Sequence, residues 1–169
     1  MTPTPFWVLA LLYWLHLLAT VLWIGGLAAL ALLVLPAAAQ ALDRRAYAAL
    51  LDSIQRRLDP LGWFCLLLLA ATGMFQMSAS PYYAGLLSIT NRWALAILLK
   101  HLLFGGMALL SAFLTWGLLP ALRRAAFRQA QGLDAPQLEK LQRQNLWLLR
   151  LNLALALLVL LLTAFARAA

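Results

Sequence analysis

The chain has 169 residues, enough for one domain, and it is 65% hydrophobic with only 11% charged residues. Soluble domains run at about 45–50% apolar and about 25% charged, so a water-soluble fold of this size has no place to hide the excess. The net charge is +8, but the basic residues cluster between apolar stretches, which points to membrane topology and argues against nucleic-acid binding.

The first apolar stretch covers about residues 6–35 and ends at Pro36. Ala39-Gln40-Ala41 has the form of a signal cleavage site, yet no Lys or Arg precedes the run and it is too long for a signal core, so it reads as a retained span. Next come Asp43, Arg44 and Arg45, then Arg56 and Arg57, with Tyr47, Leu50, Leu51, Ile54 and Leu58 at helical spacing. This reads as an interfacial amphipathic helix. Asp59-Pro60 reads as a helix start, an N-cap carboxylate followed by proline in the first turn. It opens the second span, about residues 61–79. Its one cysteine, Cys65, excludes an intrachain disulfide and reads as a small buried hydrophobe.

The connection that follows holds no Lys or Arg. Thr90 or Asn91 is the candidate cap of the third span, about residues 93–119, which Pro120 ends. Arg123, Arg124, Arg128, Lys140 and Arg143 fill the next connection, where Gly132 ends one helix and Asp134 with Gln137 resembles a capping box opening another. The fourth span covers about residues 146–166. Within it, Arg150 is expected to snorkel and Asn152 to bond another helix.

These elements predict an all-α fold: a single-domain, integral membrane four-helix transmembrane bundle with amphipathic cytoplasmic connections. The positive-inside rule places the first and third connections in the cytoplasm and both termini outside it. Phe6, Trp7, Tyr82, Tyr83, Trp93 and Phe165 form the expected outer aromatic belt; Trp63, Phe64, Trp116 and Trp147 form the inner one.

Candidate chemistry rests on the two histidines. Both lie inside spans, where an ionisable residue is costly and is a functional candidate by default. His16 is about 15 Å and His101 about 12 Å from the outer edge, at about 1.5 Å per residue. Spans one and three run in the same direction, so the two imidazoles share a level. Gly105 and Ala108 lie on the His101 face with other small residues, leaving a groove beside it. This pattern predicts one b-type haem held by His16 and His101 as axial ligands, with Lys100 and Arg92 facing its propionates. Electrons would pass to quinone or to an outer-face redox partner. Small residues at this spacing also serve plain helix packing. The alternative cofactor is copper, with thioethers from Met74 and Met77 and an imidazole from His16. A cofactor-free subunit of a larger membrane complex, or a homo-oligomer, is the third reading. No Ser-His-Asp arrangement, phosphate loop or carboxylate pair is present to support hydrolysis.

Trp14-Leu15-His16 through Trp23-Ile24-Gly25-Gly26-Leu27, ending near Leu35-Pro36, resembles the opening helix of the CopD copper-resistance domain family. Asp59, Thr72-Gly73 and Leu98-Leu99-Lys100 extend the resemblance, over roughly residues 10–120. The resemblance implies copper uptake or tolerance at the bacterial inner membrane. A similar His-then-Trp helix occurs in the membrane protoporphyrinogen oxidase family, whose members bind haem b. That resemblance carries over His16 and Lys100, but not the arginine which the oxidase family places after its glycine.

Overall fold

The computed structural model describes residues 5–80, 83, 85, 92–133 and 135–168. Among them stand four long helices and no strand: α1 (Phe6–Ala41), α2 (Arg44–Ser78), α3 (Arg92–Gln129) and α4 (Leu138–Ala168). Each is long and apolar enough to cross a membrane. Large side chains such as Leu67, Leu102 and Leu109 point outward and stay exposed. That is what a bundle dissolved in hydrocarbon requires: helices pair their backbone groups internally, and lipid solvates the apolar surface.

The helices run past the prolines that the sequence marks as their ends. Pro60 lies inside α2, so the amphipathic segment and the second span form one helix. Its N-cap is Asp43, whose carboxylate accepts from the backbone N–H groups of Arg45 and Ala46. The amphipathic part buries Tyr47 and Leu51 against Leu118 and Leu122 rather than in lipid. Pro60 removes one backbone donor but is exposed near the arginine-rich end of the helix. There the orphaned carbonyl can be hydrated.

Pro36 and Pro120 are accommodated differently. Each follows a six-residue π-helical segment, Ala29–Val34 in α1 and Phe113–Leu118 in α3. Proline lacks the N–H for the carbonyl four residues back and its ring crowds that carbonyl. The turn before it widens, and Leu35 and Leu119 bond the carbonyls of Leu30 and Leu114, five residues back. Helix α3 ends where Gly132 takes φ 76°, and Leu133 and Gly132 donate to the carbonyls of Arg128 and Gln129. This is a Schellman ending that needs a residue without Cβ. The candidate caps Thr90, Asn91 and Asp134, and Tyr82 of the outer belt, lie outside the described residues.

Around the bundle, α2 packs on α1, α1 on α4, and α4 on α3. α2 meets α3 mainly through the stretch Leu119–Ala130, and Trp63 stacks on Trp116 with ring centroids 5.0 Å apart. The main apolar core, including Leu27, Leu35, Leu51, Leu118 and Leu149, therefore gathers toward the end that carries Arg45, Arg56, Arg57, Arg123 and Arg124. That end is called the basic end below. Asp52 bridges α2 to α3 there, pairing with both Arg56 and Arg123.

Candidate functional site

Opposite the basic end, α1 and α2 meet through polar groups set in apolar helices. His16 Nδ1 lies 2.8 Å from Thr72 Oγ1. The Thr72 hydroxyl donates its only proton to the Leu68 carbonyl, at 2.6 Å. It can then only accept from His16, so in the neutral imidazole Nδ1 carries the proton and Nε2 keeps its lone pair. Gly73 lies flat beside the ring, and a Cβ there would meet His16 Cε1 at 3.4 Å. Gln76 Nε2 donates to the Leu12 carbonyl at 3.3 Å and ties the same two helices one turn further on.

His101 is fixed within its own helix. Its Nδ1 lies 2.7 Å from the Ile97 carbonyl oxygen. A carbonyl only accepts, so Nδ1 is again the donor, and in the neutral imidazole Nε2 again has a free lone pair. Both chain histidines thus sit in the tautomer that presents Nε2 to a metal or a proton.

The structure brings some predicted residues together and separates others. Lys100 stands within electrostatic reach of His16. α3, which carries His101, packs chiefly on α4 and makes no extensive contact with α1. Met77 is buried, 7% exposed, and follows Gly73 by one turn on the inward stripe of α2. Met74 is 56% exposed and faces outward, so the two thioethers diverge. Arg92 is exposed and Ala108 half-buried. At Gly105 a Cβ would meet nothing within 4 Å among the described residues, so this part of the groove stays open there. Among the described residues no three His, Cys, Asp or Glu side chains gather into a metal-binding group. A bound metal would need other ligand types.

Thr72 is the hydrogen-bond partner of His16 that reasoning from the sequence did not pair with it. The available signal was a hydroxyl well inside the apolar run of span two, at about the depth of His16. Asn152 does bond another helix as expected, donating from Nδ2 to Ser111 of α3 at 2.9 Å.

A family model described as copper resistance protein D, CopD, matches residues 52–166. Thr72, Met77, Lys100 and His101 lie inside that stretch, and His16 precedes it. No curated protein and no solved structure matches the chain. The similarity to protoporphyrinogen oxidases finds no support in these comparisons.

Proposed function

The chain belongs to the copper resistance protein D family, and on that premise we propose that it handles copper in the cell membrane, serving uptake or tolerance. One observation carries the reading: His16, deep in an apolar helix, has Nδ1 committed to Thr72, which in the neutral ring leaves Nε2 unprotonated. Metal-binding imidazoles are held this way, with one nitrogen donating to a fixed acceptor and the other ligating. Met77, one turn beyond Gly73 on the same stripe, supplies a thioether suited to Cu(I). Lys100 sets a positive charge beside the site, favouring weak retention of a cation and hence its release. Positive-inside orients the basic end to the cytoplasm and the His16 end outward.

The test is Cu(I) binding by the full chain in lipid nanodiscs, measured by competition with a chromogenic chelator. His16→Ala is expected to weaken binding by at least tenfold, and Met77→Leu to weaken it more than Met74→Leu. Wild-type protein that binds no Cu(I), together with normal copper tolerance in a deletion strain, refutes the reading.

A second reading, one b-type haem between His16 and His101, is supported by the free Nε2 on both rings. The family match lends it nothing. A visible spectrum after expression with ample haem separates the two: paired imidazole ligands give sharp reduced bands, and a colourless protein removes haem.

A further inference from the structure

A second polar feature lies in the basic half of the bundle. A cavity of about 90 Å³ opens between the helices. Gln55 and Asp59 line it at the basic end, and Cys65, Ser111 and Asn152 line it further in. Asn152 is six residues into span four, about 9 Å from the membrane edge at about 1.5 Å per residue.

Asn145 and Asn152 both line this cavity, and each is only 1% exposed. The orientation of Asn152 is fixed by its partner. Ser111 donates its hydroxyl proton to the Met107 carbonyl at 2.8 Å. Toward Asn152 it can only accept, so the amide nitrogen must face it. Asn152 Oδ1 is left with no hydrogen-bond partner among the described residues. The same is true of Asn145 Oδ1 and of the Trp23 indole N–H, which also lines the cavity. Two acceptors and one donor, buried where lipid offers neither, call for a guest that both donates and accepts.

The dimensions choose the guest. Asn145 and Asn152 are two turns apart on one face of α4, about 10 Å along the axis. That spacing is long for one small cation held by both oxygens. It suits a short file of water, each about 2.8 Å from the next. At about 30 Å³ per molecule, the cavity holds about three. Each water can donate to an asparagine oxygen, accept from the Trp23 N–H, or link its neighbours.

We propose that this cavity binds a file of about three waters and forms an aqueous half-path from the basic end into the membrane interior. Asp59 stands at its mouth and Asn152 near its inner end. Leu22 also lines it, six residues short of His16 on α1. The half-path therefore stops about 9 Å of helix below that imidazole. It stands independently of copper, because the orphaned groups need hydration whatever the far site binds.

The experiment is radiolytic hydroxyl footprinting of the full chain in nanodiscs, read by mass spectrometry at Cys65. This is the only cysteine in the chain, and it lines the cavity yet is 1% exposed. Radicals formed from a neighbouring water modify it; radicals in bulk solvent do not reach it. The expected result is rapid Cys65 modification in the wild type, falling at least fivefold in the Asn145→Leu, Asn152→Leu double variant. Gly26→Val provides a second variant that leaves the asparagines intact. Gly26 lines the cavity, and a Cβ there meets nothing within 4 Å, so the valine fills the space and is expected to lower the rate likewise. An unmodified Cys65 in the folded wild type overturns the proposal. So does a rate unchanged in whichever variants fold.

Discussion

Thr72→Val tests the link between tautomer and metal binding most directly. Valine keeps the shape of threonine and removes the oxygen that accepts from His16 Nδ1 at 2.8 Å. The direct loss is one interhelical hydrogen bond, worth about 0.5–1.5 kcal/mol in general and about 0.6 kcal/mol on average within membranes. The functional loss is expected to be larger. With no acceptor at Nδ1, the imidazole proton is free to move to Nε2, and the ring is free to turn over Gly73. Loss of such an orienting partner typically costs about 10–100-fold in metal affinity, or about 1.4–2.7 kcal/mol. Thr72→Ser keeps the hydroxyl and is predicted to stay near wild type. The assay is chelator competition for Cu(I) in nanodiscs, paired with ¹⁵N chemical shifts of the labelled histidines to read the tautomer. If the valine variant keeps both wild-type affinity and the Nδ1–H tautomer, Thr72 does not position His16.

Three further predictions follow from the packing. Gly62→Ala places a Cβ 2.6 Å from Trp23 Cζ3, a clash expected to lower stability by about 1–3 kcal/mol in detergent unfolding. Gly106→Ala, where a Cβ meets nothing within 4 Å, is the contrast and should gain up to about 1 kcal/mol from helix propensity; equal effects at both positions contradict the packing of α1 on α2. Ser111→Ala strands the Asn152 amide and is predicted to cost about 0.6–1.7 kcal/mol, seen as a lower unfolding midpoint. For topology, reporter fusions at positions 50, 85, 130 and 169 are expected to give cytoplasmic signals only at 50 and 130; such a signal at 85 or 169 reverses the orientation.

The four crossings were legible because bilayer thickness is a coarse, strong filter: a run of about 20 apolar residues, repeated four times, is long enough to span hydrocarbon and too apolar for water. The helix ends at Asp59-Pro60, Pro36 and Pro120 were misplaced for a common reason. Proline rules come from helices in water, where a broken backbone bond ends the element. In long membrane helices the strain is taken up by widened turns or by hydration near the interface. The histidines stood out by cost alone, as ionisable groups in apolar helices. Their partners did not. The His16–Thr72 bond depends on how α1 is rotated against α2, which residue spacing does not encode for an isolated hydroxyl. Met74 and Met77 looked paired in sequence, but three residues of helix are enough to put one inward and the other toward lipid.

The two π-helical segments have a consequence for where the histidines point. An α-helix advances about 100° per residue, and a widened turn holds one residue more than the regular spiral would. Everything beyond it is out of phase with everything before it. In α1 and α3, which cross in the same direction, the histidine lies on one side of the segment and the Leu-Pro anchor of the basic core on the other. Deleting any single residue among 29–34, together with Pro36→Ala, would let α1 close into a regular spiral. With Leu35 and Ala38 held in the core, His16 would swing by roughly a quarter turn away from Thr72. The aim of His16 is thus set by a count of residues over a dozen positions away, indifferent to which apolar side chains make up that count.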